Sequence, residues 1–426
     1  MTDLTFHHPD TVMLDERFRL RIEGVPTDQR VTVRGRLRDT NGRVWRSEGV
    51  YEVEDGVIDL DENEPVGSSR HDDEPVGGAL DEADTMALIE TMEPEAGDSL
   101  YMVREDQELE IEVESDGEIL GTSAITRTYG HPEVTVTEIR DAGLFGELYE
   151  PPGDEPAPAV VTLHGSDGRP LGDLSRMLAS RGFRTLALQY FDGIGETDEL
   201  PNTLLNIPVE YVGAAVDWLL ADDRTLGDSV GVFGISRGAE LGLLAAAVFD
   251  EIGAVVSLNG SAIAWESIET VRRERDCPSW TLNGEPLPYV PLGEEFDWEM
   301  TEPYSVREEY DEIYEATDPE TIEEATIPVE QIDGPITFIA GGDDGLWNAA
   351  RFCEPAVDRL DAHDHAHEYD LVVYEEAGHC FLTPYRPAAN REEGIWKFGG
   401  TPAGYRHGDE AHWERILETL ETLNPR

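Results

Sequence analysis

Gly231-Val232-Phe233-Gly234-Ile235-Ser236-Arg237-Gly238-Ala239-Glu240-Leu241 decides the fold. Val230, Val232 and Phe233 form a β-prone run, and Leu241 to Val248 form an apolar helix of Leu and Ala. Between them Gly234-Ile235-Ser236-Arg237-Gly238 has the pattern of a nucleophile elbow. Such a corner is tight and strained, so a side chain at either glycine would strike neighbouring backbone. The strain lifts the serine Oγ into the open at the carboxyl edge of a sheet. The helix that follows aims its first N–H groups at the same spot. A glycine-rich βα turn with an idle serine would read the same way, so the decision rests on what lies elsewhere in the chain.

Working outward, residues from Ala159 alternate strands with helices. The strands are Ala159 to Leu163, Arg184 to Leu188, the elbow strand, Ala254 to Leu258, Pro335 to Ala340 and Tyr369 to Tyr374. The helices are Leu171 to Ser180, Val209 to Ala221, the elbow helix, Ala349 to Leu360 and Glu410 to Leu423. This alternation implies a mostly parallel sheet with helices on both faces, an α/β-hydrolase domain over residues 131–426. Residues 262–330 break the pattern with prolines and acids, and read as a lid-like insertion.

Residues 1–130 read as all-β. Val31-Thr32-Val33-Arg34-Gly35-Arg36-Leu37-Arg38 and Glu108-Leu109-Glu110-Ile111-Glu112-Val113-Glu114 alternate with period two, as does Arg17 to Ile22. With turn signals at Asp39-Thr40-Asn41-Gly42 and Ser115-Asp116-Gly117, this predicts a small β-sandwich of the immunoglobulin-like kind. Nine arginines between Arg17 and Arg46 are read as a solvated face paired with the acidic strands. Residues 61–100 include an acidic loop in which Glu64-Pro65-Val66-Gly67 recurs as Glu74-Pro75-Val76-Gly77.

The chain has 92 acidic and 31 basic residues, a formal net charge of −61. Its one lysine is Lys397. The economical reading is a carboxylate-saturated surface suited to concentrated salt, as in an extreme halophile. At ~1 M ionic strength the Debye length is about 3 Å, so self-repulsion is screened. The same charge argues against nucleic acid and anionic membranes as partners. Three scattered cysteines without a CxxC pair, no signal-peptide pattern and no membrane-length apolar run fit a cytoplasmic setting.

A serine at an elbow needs a base and an acid, which follow it in chain order on loops after later strands. Gly341-Gly342-Asp343-Asp344-Gly345 follows one strand, and Glu375-Glu376-Ala377-Gly378-His379 follows the next. His379 is the predicted base. Asp344 is favoured over Asp343 as its carboxylate, because it stands three residues beyond the glycine that ends the strand. The oxyanion donors are the N–H of Arg237 and one from His164-Gly165-Ser166-Asp167-Gly168, assigned to Ser166 with Gly165 as the alternative. His164 is read as structural and Cys380 as packed. His363, His365 and His367 are read as a helix-to-strand connection rather than a metal site; neither metal nor cofactor is expected.

These motifs resemble the acyl-CoA thioesterase / bile acid-CoA:amino acid N-acyltransferase family in a haloarchaeal-type version. The likeness lies in Gly234 to Leu241, Gly341 to Trp347, Tyr374 to His379 with Pro384-Tyr385, and Gly399-Gly400-Thr401-Pro402 before the last helix. In the first domain it lies in Val31 to Arg34, Leu37-Arg38-Asp39 and Met92-Glu93-Pro94-Glu95. The enlarged acidic loop near 61–87 and His164-Gly165-Ser166 depart from it. The resemblance implies a Ser236–Asp344–His379 triad acting on acyl-CoA, with hydrolysis favoured because amide-forming members use cysteine. Arg272, Arg273 and Arg275 are candidate contacts for CoA phosphates, with surface ion pairing as the alternative. Ester or dienelactone hydrolysis, acyl transfer to an amine, and an inactive hydrolase-like binding protein are the other readings.

Overall fold

A computed structural model describes residues 4–67, 78–96, 100–193, 195, 197, 199–268, 277–292, 304–388, 392–393 and 396–424. The chain divides into two compact units. One comprises Met1–Pro132 with Leu382–Glu393 and Tyr405–Glu410; the other comprises Glu133–Phe381, Gly394–Gly404 and Ala411–Arg426.

The first unit is mostly β-sheet. Thr5–His7, Arg21–Glu23 and Val57–Asp59 form a small antiparallel sheet. A seven-stranded sheet is centred on Gln107–Ser115 and Gln29–Arg38, with Glu118–Thr128 and Val44–Val53 outside them. Ile22 and Ile58 from the small sheet share one core with Val31, Val33, Leu109, Ile111 and Val113 from the large one. The period-two pattern is visible directly: Leu109, Ile111 and Val113 are buried while Glu108 and Glu110 are exposed. The arginines of Gln29–Arg38 pair across the ladder, Arg34 with Glu48, Glu112 and Glu114, and Arg36 with Glu110.

The second unit is built on an eight-stranded sheet. In spatial order its strands are Thr135–Asp141, Leu144–Glu150, Arg184–Leu188, Ala157–Leu163, Thr225–Ile235, Ile252–Leu258, Ile336–Gly341 and Tyr369–Tyr374. The first two strands run antiparallel to their neighbours, and from Arg184–Leu188 onward the pairs are parallel. Ala157–Leu163 and Arg184–Leu188 are buried throughout, as strands covered on both faces must be. Crossover helices Gly172–Ser180, Glu210–Leu220, Arg237–Ala246 and Ala349–Ala362 follow the strands in turn.

Three elements differ from the sequence reading. The last helix spans Pro402–Glu421, starting eight residues before the expected Glu410; Thr401 caps it by accepting the N–H of Gly404, with Pro402 at the first helical position. The strand expected over Arg17 to Ile22 is confined to Arg21–Glu23. Among the described residues of 262–330 are two α-helices, Arg307–Ala316 and Pro319–Ala325, that the density of acids concealed.

Candidate active site

Ser236 sits at the end of Thr225–Ile235, immediately before the helix Arg237–Ala246. Its backbone is at φ 54°, ψ −124°, a conformation that costs a non-glycine residue of order 1–3 kcal/mol and clusters at functional sites. Both glycines are required by packing. A Cβ on Gly234 would lie 2.4 Å from the carbonyl oxygen of Gly238, and one on Gly238 would lie 2.3 Å from that of His164. The helix thus crosses the strand ends at backbone contact, and Ser236 is left 9% exposed.

Asp344 and His379 lie on loops that follow the last two strands of the sheet. The Nδ1–H of His379 donates to Asp344 Oδ2 at 2.7 Å. Asp344 Oδ1 accepts the N–H groups of Leu346 (2.8 Å) and Trp347 (3.2 Å), so the buried carboxylate is hydrogen-bonded at both oxygens. Asp343 instead caps a turn by accepting Gly400 N–H at 3.0 Å. With Nδ1 engaged, the free edge of the His379 imidazole is Nε2. Among the described residues the Ser236 hydroxyl makes no hydrogen bond to that imidazole, a separation common before substrate tightens such contacts.

The two loops are stitched to the elbow by Asn259, which the sequence analysis did not single out. Buried and at φ 44°, it directly follows the neighbouring strand Ile252–Leu258, whose Leu258 carbonyl accepts Ser236 N–H at 2.9 Å. Its Nδ2 donates to the carbonyl of His379 at 2.7 Å, and its Oδ1 accepts Gly341 N–H at 2.7 Å. Its own carbonyl accepts the Trp347 indole N–H at 2.9 Å. The Phe398 carbonyl adds a second link, accepting the N–H groups of both His379 and Gly345. The only signal in sequence was an Asn-Gly pair directly after a core strand.

On the other side of the elbow, Gly165 packs against the serine: a Cβ there would lie 3.4 Å from Ser236 Cβ. Ser166 is exposed. His164 is fully buried and stacks on Tyr190 with ring centroids 4.1 Å apart. Burial pushes its pKa down to about 4, so it is neutral near neutral pH. The side chain of Arg237 is 3% exposed and forms a buried pair with Glu240. Burial pushes Glu240 up to about 7 against the pull of Arg237 and the Trp280 indole. Arg272, Arg273 and Arg275 lie outside the described residues. His363, His365 and His367 bond to the Arg359 carbonyl, the Gly334 carbonyl and Asp333, respectively. Among the described residues no helix is long and apolar enough to cross a membrane.

An eight-stranded sheet of this order, with a serine at the sharp strand-to-helix corner and an acid and a histidine on later loops, defines an α/β hydrolase. Residues 207–423 match the family model "BAAT / Acyl-CoA thioester hydrolase C terminal", and residues 15–141 match "Acyl-CoA thioester hydrolase/BAAT N-terminal region". The chain belongs to this acyl-CoA thioesterase / bile acid-CoA:amino acid N-acyltransferase family. It is 28% identical to acyl-coenzyme A thioesterase 1 of Rattus norvegicus over 417 residues, covering 94% of this chain and 92% of the relative. It is 28% identical to the peroxisomal succinyl-coenzyme A thioesterase of Mus musculus, covering 95% and 92%. It is 26% identical to the bile acid-CoA:amino acid N-acyltransferase of Mus musculus, covering 97% and 96%.

Proposed function

We propose that the chain hydrolyses acyl-CoA thioesters to a free acid and CoA through an acyl-serine intermediate. Ser236 Oγ attacks the thioester carbonyl while its proton passes to His379 Nε2. Asp344 holds the imidazole tautomer and stabilises the imidazolium. The oxyanion is met by the N–H of Arg237 and by one from Gly165 or Ser166. Collapse of the tetrahedral adduct breaks the C–S bond, and the CoA thiolate takes the proton from His379. A water molecule, deprotonated by His379, then opens the acyl-serine ester; Ser236 regains its proton and the acid departs. No metal or cofactor is needed in any step.

The observation that supports this reading is the buried His379–Asp344 pair at 2.7 Å, on loops that follow the strands Ile336–Gly341 and Tyr369–Tyr374 of the same sheet as the Ser236 strand. Serine as nucleophile favours water over an amine as acceptor, because an oxygen ester is less readily aminolysed than a thioester. The mouse N-acyltransferase among the relatives supports the second reading, acyl transfer to an amino acid.

The test is thiol release from palmitoyl-CoA in molar KCl, run beside p-nitrophenyl ester turnover and repeated with glycine or taurine. Thiol release without amide product is expected. Ser236→Ala should cut turnover by at least about 10³-fold and abolish fluorophosphonate labelling, without loss of the folded state. Amide formation outpacing acid release would install the acyltransferase reading. Equal labelling of the alanine variant would remove Ser236 from the chemistry.

A further inference from the structure

The residue after the elbow serine carries a side chain whose burial the proposed chemistry does not require, since its expected contribution is a backbone N–H. Arg237 Nη1 lies 2.8 Å from Glu240 Oε1, one turn along the same helix. Its Nη2 donates to the carbonyls of Trp265 (2.8 Å) and Glu266 (3.3 Å) and to the hydroxyl of Ser279. Ser279 Oγ in turn donates to the Trp265 carbonyl at 2.9 Å. Glu240, also fully buried, accepts the Trp280 indole N–H at 2.9 Å and the backbone N–H of Trp265 at 3.4 Å. The guanidinium stands over the rings of Trp280 and Trp347, about 6 Å from each centroid.

Two residues of the elbow helix therefore grip two separate stretches, 265–266 and 279–280, of the chain between the strands Ile252–Leu258 and Ile336–Gly341. Glu266 extends the grip, its carboxylate accepting the N–H groups of Cys277 and Leu292. Placing a guanidinium and a carboxylate together out of water carries a desolvation cost of several kcal/mol per ion, and apolar side chains of the same volume would pack here as well or better. Stability alone does not account for the pair. Geometry does: a planar fork with fixed donor directions defines an orientation, whereas an apolar plug does not. An oxyanion donor must stand within about 0.5 Å of its productive position to work.

We propose that Arg237 and Glu240 are positioning residues, whose buried clamp on residues 265–266 and 279–280 fixes the start of the elbow helix so that the Arg237 N–H meets the substrate oxyanion. The clamp rests on the reading of Ser236 as nucleophile. It acts on the transition state rather than on substrate binding, so its loss lowers kcat and leaves KM in place.

The experiment compares Arg237→Lys, Glu240→Gln and Ser279→Ala with the wild type in molar KCl. It measures kcat and KM on a p-nitrophenyl ester, the second-order rate of fluorophosphonate labelling, and Tm. Arg237→Lys keeps the charge facing Glu240 but loses the fork. Its kcat and labelling rate are expected to fall about tenfold with KM within about twofold, even where Tm is retained. Glu240→Gln is expected to follow it. Ser279→Ala removes a single hydroxyl, leaves the fold intact, and is expected to lower the same two rates about twofold to threefold. Wild-type rates in Arg237→Lys and Ser279→Ala with a lowered Tm would reduce the pair to a structural role and overturn the proposal. A raised KM with unchanged kcat would overturn it too. A wild type that neither turns over ester nor labels would instead sink the nucleophile reading, and the clamp with it.

Discussion

The corner at Ser236 and the arginine ladder of the first unit use charge in opposite ways. At the corner one guanidinium and two carboxylates, Arg237, Glu240 and Glu266, are sealed from water, each with specified partners. On the ladder Arg30, Arg34 and Arg36 reach sideways to glutamates on neighbouring strands, and most of these groups keep about a quarter or more of their surface in solvent, Glu48 at 1% and Glu114 at 19% being the exceptions. The Arg36 and Glu110 side chains are 29% and 50% exposed. Buried charge is expensive to misplace and therefore specifies geometry; exposed charge is cheap, salt-sensitive and specifies little. A chain of net charge −61 has many of the second kind, and a few of the first stand next to the candidate site.

The largest effect that separates the two regions involves no charge. Gly238 packs its Cα against the carbonyls of Leu163 and His164, where a Cβ would come within 2.4 Å and 2.3 Å. Neither carbonyl can retreat, since Leu163 ends a central strand of the sheet and His164, which follows it, is fully buried. Gly238→Ala is expected to cost about 3 kcal/mol, the upper end of overpacking penalties, and to abolish labelling of the serine. Denaturant unfolding monitored by circular dichroism checks it. A glycine of an exposed turn, such as Gly42, meets nothing within 4 Å, and its substitution is limited to the strain of φ 81°.

That contrast marks how far the sequence is legible. The two glycines, the serine, the acid and the histidine stand in fixed order on a strand–helix alternation, and each follows from local chemistry. The strands Arg184–Leu188 and Tyr369–Tyr374 are readable from the apolar runs Leu186-Ala187-Leu188 and Leu371-Val372-Val373-Tyr374 that they contain. Asn259 was not readable, because its role depends on loops 82 and 120 residues away that only the folded sheet brings together. The same holds for Glu240, which in sequence is one more acid on a helix of an acidic protein. The helix Arg307–Ala316 fully buries only Tyr310, with Ile313 and Tyr314 packed on the same core from half-buried positions, so its apolar stripe is short and set among acids.

Glu90, in the interior of the first unit, puts the charge rule to an intermediate test. It is 5% exposed, and its Oε1 has no hydrogen-bond partner among the described residues. Burial, with Asp84 and Glu410 nearby, pushes its pKa from 4.5 up to about 8, while Arg406 pulls the other way. The folded state then holds a proton that the unfolded state has released between pH 4.5 and 8. Stability contributed by this group is complete below about pH 4.5 and declines as pH rises through about 8. Glu90→Gln keeps the volume and cannot ionise. It is expected to lie close to wild type near pH 5 and to exceed it by several kcal/mol at pH 8. Urea midpoints across this range in molar KCl check it; a gap independent of pH would mean that Glu90 is already ionised in the fold.

The smallest effect is expected on the ladder itself. Arg36 Nη1 lies 2.7 Å from both carboxylate oxygens of Glu110, with the two residues opposite each other across antiparallel strands. The geometry is good, yet both side chains retain solvent, so the pair is worth about 0.5 kcal/mol in dilute buffer. Arg36→Gln also removes a positive charge from a surface already far below neutrality, which adds a diffuse repulsive term at low salt. Both contributions decay with the Debye length, from about 10 Å at 0.1 M to 3 Å at 1 M. The variant should therefore be measurably less stable than wild type at 0.1 M KCl and indistinguishable from it in molar KCl. A double-mutant cycle with Glu110→Gln separates the two contributions, because only the pairwise one appears in the coupling energy. Persistence of the full effect in molar salt would place Arg36 with the buried charges of the serine corner, and the division between the two regions would fall elsewhere in the molecule.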